Sequence, residues 1–212
     1  MNKNVENLIS RYPALACCAE AVDRLVELAI DTYRKGNKLF TAGNGGSAAD
    51  ADHIAGELLK SFRLRRHLPD GEVAALERMF GAEGRELGLR LEPALPCIAL
   101  HSQSSFVTAF WNDVGADYVY AQQLQAQCRP GDLLIGISTS GNARNLYYAM
   151  MAGQLRGVRS VLLTGNKHGC CEKVADLTVA VPASEPYLVQ EYHLPIYHAV
   201  CLAVEEALHG GK

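Results

Sequence analysis

The sequence predicts an α/β fold: a three-layer, doubly wound, flavodoxin-like arrangement in which helices cover both faces of a five-stranded parallel sheet. Three observations carry that expectation. Short apolar runs alternate with longer segments of helical period along most of the chain. Two of those runs end in loops rich in small and hydroxylated residues, Gly43-Asn44-Gly45-Gly46-Ser47 and Ser138-Thr139-Ser140-Gly141-Asn142. The composition is globular, with 49% hydrophobic and 20% charged residues in 212 positions, long enough to bury about 70% of the unfolded surface.

The elements follow in order. From Val5 to Lys35, Leu8, Leu15, Ala19, Val22, Leu25, Val26, Leu28 and Ala29 recur at helical spacing. Pro13 divides this stretch, because proline is tolerated only in a helix's first turn. The longer of the two helices is a candidate for packing against a partner subunit. Lys38–Ala42 is the first strand, and a helix spans about Ala48 to Phe62. Pro96–Leu100 is the second strand, followed by a helix over roughly Ser104 to Gln127. Asp132–Ile137 is the third, with a helix from Leu146 to Leu155 behind it. Ser160–Thr164 is the fourth; a short helix near Glu172 leads to the fifth, Leu177–Val181. The last helix covers about Tyr187 to Ala207.

One segment breaks the rhythm. Arg63 to Pro96 is polar and irregular, and only Val73–Phe80 has the pattern for two helical turns. Connections of this length are often lids or interface elements, with a solvated helical hairpin as the other reading.

Composition excludes several classes of function. A formal charge of −3 is too little basicity for a nucleic-acid binder. Seven cysteines, with vicinal pairs Cys17-Cys18 and Cys170-Cys171 and no CxxC, make a poor disulfide framework and no zinc ribbon. With no signal-peptide core near the start and no run of 18 apolar residues, a reduced cytoplasmic protein away from membranes is expected.

Ligands of open α/β sheets bind at the carboxyl ends of strands, where both conspicuous loops fall. Glycines permit close backbone approach, and a helix start offers free N–H groups to an anion. Each loop alone also reads as a helix cap. GxGxxG and GxxxxGK[ST] are both missing, so a nucleotide cofactor is unsupported and a monophosphate on a small molecule fits better. On the helix after the first loop, His53 and Glu57 share a face. Gln190, His193 and His198 recur on the last helix. A carboxylate and an imidazole can shuttle protons at neutral pH, and His53, Glu57, Gln190 and His198 form a mixed N/O set suited to zinc. A surface i,i+4 pair and an interface histidine explain the same spacing. Gln190 and His198 lie roughly 12 Å apart along a helix and differ by about 80° in direction. Either Pro195 distorts the helix or one of the two acts in a neighbouring subunit's site.

Together, Gly43–Ser47, His53, Glu57, Asn112-Asp113, Gly136–Asn142, Leu163-Thr164-Gly165, Gln190–His193 and His198 resemble the sugar isomerase (SIS) domain, and more narrowly the phosphoheptose isomerase family. The resemblance covers nearly the whole chain outside Arg63–Pro96. It implies a cytoplasmic homotetramer with sites at subunit interfaces. The implied enzyme converts sedoheptulose 7-phosphate to D-glycero-D-manno-heptose 7-phosphate through a cis-enediol, on the way to heptose for surface glycans. By position, Asn44, Gly45, Gly46, Ser47, Glu57, Asn112, Asp113, Ser138, Thr139, Ser140 and Gln190 match substrate-binding residues. Glu57 and His198 match the catalytic acid/base pair, and His53, Glu57, Gln190 and His198 match the zinc positions. Glu57 is expected to be the carbon base, its pKa raised by closure from water.

Some positions depart from the family pattern. Ala143 stands where the family has a phosphate-binding serine, with Arg144 beside it as a possible source of positive charge. Tyr187 replaces an acidic residue, and the Arg63–Pro96 insertion is longer. Two other readings of the fold are a non-catalytic SIS adaptor, of the kind that binds the replication initiator, and a sugar-phosphate sensor. The motifs from near position 44 to position 198 must converge on one site. One domain over residues 1–212 is therefore expected, with a helical extension over about 1–36 and an insertion over about 63–96.

Overall fold

The computed structural model describes residues 1–210. Five strands, β1 (Leu39–Gly43), β2 (Cys97–Ala99), β3 (Leu133–Ile137), β4 (Arg159–Thr164) and β5 (Leu177–Ala180), form one sheet in the order β2-β1-β3-β4-β5. Every pairing is parallel; in the central one Leu39 stands opposite Leu133 and Gly43 opposite Ile137. β1 and β3 are buried along their whole length, as parallel strands covered on both faces must be. The fold class expected from the sequence is the one observed.

Alternate side chains enter two cores. Leu39, Leu133, Ile135, Ile137, Val161 and Leu163 face α1 (Lys3–Arg11), α2 (Ala19–Arg34), α3 (Gly46–Leu59) and α8 (Pro186–His209). Phe40, Ala42, Leu134 and Leu162 face α6 (Val119–Gln127) and α7 (Arg144–Leu155) through Tyr120, Leu124, Leu146 and Met150. The period of two along each strand produces this division. Cutting one of the enclosed leucines back to alanine costs about 2–5 kcal/mol.

Three elements differ from expectation. The apolar stripe of α2 is not left for a partner: Val22, Leu25, Val26 and Ala29 are buried inside their own chain, where α2 packs on α8 and β5. The helix expected over Ser104–Gln127 is divided into α5 (Ser104–Asp113), a 3₁₀ turn over Ala116–Tyr118 and α6. Gly115, at φ 135°, turns the chain between them. In the Arg63–Pro96 excursion, helix α4 (Asp70–Arg90) is much longer than the two turns expected, and it doubles back at Gly81, which has φ 68° and ψ −144°. Gly88 of the second half lies directly against Val73 and Leu76 of the first. The excursion is thus built on a helical hairpin, and Gly84 and Gly88 are the buried residues of α4. Among the described residues no helix is long and apolar enough to cross a membrane, and all seven cysteines are free.

Candidate active site

In the order β2-β1-β3-β4-β5 the chain winds outward in opposite directions from β1 and β3, which creates a crevice at their carboxyl ends. Both conspicuous loops open there. The first turns into α3, with Ser47 N–H donating to the Asn44 carbonyl at 3.1 Å. The second is closed by Gly141 N–H donating to the Ser138 carbonyl at 3.0 Å. Its far side rests on the 3₁₀ turn Cys170–Lys173, where Cys171 N–H donates to the Gly141 carbonyl at 2.9 Å. An amide pair ties the loops together: Asn44 Nδ2 donates to Asn145 Oδ1 at 3.0 Å, and Asn145 Nδ2 donates to Asn44 Oδ1 at 2.9 Å. Tyr120 supports the first loop from below, donating to the Gly43 carbonyl at 2.6 Å.

α3 and α8 run side by side in the same direction. At their starts the Gln190 amide presses on Gly46, where a Cβ would meet Gln190 Nε2 at 2.5 Å. Two turns on, His53 meets Tyr197 and His198. His53 Nε2 is 3.2 Å from Glu57 Oε1 and 3.5 Å from His198 Nε2. On its other edge His53 Nδ1 is 3.0 Å from the Tyr197 hydroxyl, which donates to Asp50 Oδ1 at 3.2 Å. His53 and His198 meet edge to face, with ring centres 5.0 Å apart.

The charge states follow from these neighbours. Burial pushes the Glu57 carboxyl up, but the Lys60 ammonium at 2.7 Å from Oε2, together with His53, outweighs it and holds the group below its ordinary value. The expected rise towards neutrality is therefore not found: Glu57 is half-buried but paired, and it is ionised at neutral pH. His198 is shifted down by burial and by the neighbouring His53, so it stays a neutral imidazole. Asp50 is held above its ordinary value by burial, against the hydrogen bond from Tyr197.

The structure brings His53, Glu57 and His198 together within one chain, so the pair is more than a surface i,i+4 contact. It gathers Asn44, Gly45, Gly46, Ser47, Ser138, Thr139 and Ser140 at the crevice. Gln190 does not join His198: α8 continues through Pro195, and Gln190 stays at Gly46. Asn112 and Asp113, exposed at the end of α5, hydrogen-bond to each other at 3.0 Å. Among the described residues they bond to no other candidate. Ala143 leaves α7 without a side-chain cap. Arg144 does not replace a phosphate ligand, because its Nε is committed to Asp117 at 2.8 Å and its Nη2 to the Tyr148 hydroxyl at 2.7 Å. His193, on the candidate helix, is completely buried and belongs to the core. Sequence reasoning missed Lys60, Asp50, Tyr197, Asn145 and Tyr120. Helical spacing from Glu57 and His53 points to the first two. The others arrive from distant parts of the chain.

For a metal, the donor chemistry fits. Both spacings at His53 Nε2 are close to the roughly 3.3 Å between neighbouring ligands of tetrahedral zinc. A complete shell is not formed within this chain. Among the described residues no three His, Cys, Asp or Glu side chains converge on one point.

The geometry can be set beside known proteins. No protein-family model matches the chain. A phosphoheptose isomerase of Akkermansia muciniphila is 36% identical over 211 residues, which is 100% of this chain and 98% of the relative. One from Geobacter sp. strain M21 is 38% identical over 188 residues, covering 89% of this chain and 84% of its own. Among solved structures, a phosphoheptose isomerase from Neisseria gonorrhoeae superposes with a TM-score of 0.74 at 29% identity, covering 95% of this chain and 94% of that one. With whole-chain identity at this level joined to the same sheet, the chain belongs to the phosphoheptose isomerase family.

Proposed function

We propose that the protein is an aldose–ketose isomerase acting on sedoheptulose 7-phosphate, and that Glu57 and His198 carry the proton transfers. The observation that carries this reading is the meeting of an ionised carboxylate and a neutral imidazole at His53, beside two anion-cradling loops. Neither a non-catalytic adaptor nor a sensor has a use for that pair. The relatives' shared name supports the choice of substrate.

The steps balance as follows. The Glu57 carboxylate takes a proton from C1 of the ketose, and that electron pair forms the C1–C2 double bond. The C2 oxygen is left as the oxyanion of a cis-enediolate. The neutral His198 imidazole takes the C1 hydroxyl proton and passes it to the C2 oxygen, and Glu57 returns its proton to C2 as the C1 oxyanion closes to the aldehyde. General acid–base help of this kind is worth about 10²–10⁴-fold. The Ser138–Ser140 hydroxyls and the N–H groups at the start of α3 hold the phosphate.

His53, Glu57 and His198 would hold zinc, with a fourth donor such as Gln190 completing the set. An ion held there would supply Lewis-acid polarisation of the substrate oxygens. A homotetramer with sites between subunits suits the separation of Gln190 from His198. It also suits α5, which buries none of its residues and leaves Trp111 61% exposed. Free cysteines and a sugar-phosphate substrate suit the cytoplasm.

Turnover of sedoheptulose 7-phosphate by the purified protein, with zinc or chelator added, tests the reading. Glu57→Gln and His198→Ala are expected to lose at least about 10²-fold in kcat. No conversion by the parent, or variants equal to it, overturns the assignment.

A further inference from the structure

We propose that the segment following β4 is a third wall of the phosphate cradle, and that Gly169 and Asn142 are positioning residues that lock the 138–142 loop with its donors free and its acceptors covered. The inference rests on the reading of that loop as the phosphate site, and it names what holds the loop in that form.

An anion is bound by a loop whose N–H groups are free to face it and whose carbonyl oxygens are turned elsewhere. All four carbonyls from Ser138 to Gly141 accept a hydrogen bond. Two are closed inside the loop: Ser138 accepts from Gly141 N–H at 3.0 Å, and Ser140 accepts from Asn142 Nδ2 at 3.0 Å. The other two are closed from outside. The Thr139 carbonyl accepts from Gly165 N–H at 3.1 Å, and the Gly141 carbonyl accepts from Cys171 N–H at 2.9 Å. Among the described residues the N–H groups of Thr139 and Ser140 donate to nothing. The loop therefore offers donors with no competing acceptor, and residues 165–171 impose half of that polarity.

Two contacts fix the loop on this wall. Cys170 N–H donates to Asn142 Oδ1 at 3.0 Å, so the Asn142 amide bridges the turn on one side and the Ser140 carbonyl on the other. The N–H groups of Cys170 and Cys171 open a 3₁₀ turn, where the first donors have no partner of their own. Gly169 is the second contact. Its φ of −128° and ψ of 173° are extended values that any residue adopts, so the backbone does not demand glycine. Space does: a Cβ here would lie 2.2 Å from the Gly141 carbonyl oxygen and 2.3 Å from its carbon. Gly141 itself, at φ 67°, makes the left-handed turn of the loop. A methyl group at position 169 must lift that turn off the wall and break the bond from Cys171.

The experiment uses the full-length protein with inorganic phosphate as the probe. Hydrogen exchange read by mass spectrometry follows residues 138–142, and calorimetric titration gives the affinity. In the parent, phosphate is expected to slow exchange across the loop. Gly169→Ala adds one methyl group at the contact, and Asn142→Ala removes the bridge from an exposed position. Both variants should bind phosphate about 3–10-fold more weakly, the worth of about one hydrogen bond, and exchange faster across 138–142 before phosphate is added. Thermal unfolding of Asn142→Ala should stay near the parent's, so that variant decides the matter if Gly169→Ala does not fold. A merely structural role would lower stability and leave the phosphate affinity of the folded protein alone. Affinities within twofold of the parent's therefore overturn the proposal. A parent whose loop exchange is unchanged by phosphate overturns the reading of the loop as the phosphate site, and the proposal with it.

Discussion

His193 has neither ring nitrogen in a hydrogen bond of full geometry and is wholly enclosed between α8 and the sheet. Burial pushes its pKa down to about 4, and an approach to the Thr164 backbone offsets only part of that. The unfolded chain has an ordinary histidine near 6.5 at this position. Below about pH 6.5 the unfolded state therefore binds a proton that the native state refuses, and stability falls as pH drops towards 4. Above 6.5 the residue makes no difference. The loss across that window is on the order of 3 kcal/mol. Replacing the imidazole by an apolar side chain of similar size removes the term, so His193→Leu should flatten this part of the curve. Urea unfolding of parent and variant at pH 7 and pH 5 checks it; equal slopes for the two proteins contradict it. The sequence placed His193 beside Gln190 and His198 without separating their roles. Spacing on a helix says which residues share a face, but not which face meets the core. His53 and Glu57, by contrast, were legible as a pair because i,i+4 neighbours meet whatever the tertiary fold. Tyr197 and Asn145 were not, because their partners lie far away in sequence.

At the scale of elements, strands were legible because a continuous apolar run bounded by turn residues has few other uses. Helix ends were less so: the break at Gly115 lies inside a pattern that is apolar on both sides. The Arg63–Pro96 excursion was the least readable, since most of its contacts are with itself. One residue that joins it to the body is Glu205, on α8. That carboxylate is buried and accepts from three successive backbone groups, Phe62 N–H and Arg63 N–H at 2.8 Å and Leu64 N–H at 2.9 Å. The buried Arg66 guanidinium lies 3.7 Å away and also donates to the Pro93 carbonyl at 2.8 Å and to the Lys60 carbonyl. One side chain thus ties the exit of α3 and the root of the hairpin to α8. Breaking a buried pair by removing one partner costs about 3–5 kcal/mol, because the other charge is left uncompensated. Glu205→Ala is expected to lose that much stability in urea unfolding, with the 60–67 segment losing hydrogen-exchange protection first. A loss under about 1 kcal/mol contradicts this, since that is the range of exposed ion pairs.

For the whole molecule, the placement of Gln190 and His198 bears on the proposed homotetramer with sites between subunits. Both lie on α8, but Gln190 stands at Gly46 and His198 two turns further on at His53. A rigid helix that keeps its Pro195 turn cannot bring them to one point. If both serve the same reaction, Gln190 of one subunit must face Glu57 and His198 of another. Mixing two inactive proteins tests this. Glu57→Gln supplies an intact Gln190, and Gln190→Ala supplies an intact Glu57 with its His198. In randomly exchanged oligomers of the proposed kind, a site that draws on two chains receives both intact halves in about one case in four. The mixture should therefore recover up to about a quarter of parental activity. Glu57→Gln mixed with His198→Ala behaves differently, because those two residues meet at His53 of the same chain. Every site then carries one defect, and that mixture should stay inactive. Recovery in the second mixture but not in the first, with subunit exchange confirmed by mass spectrometry, would reverse the assignment of residues to chains.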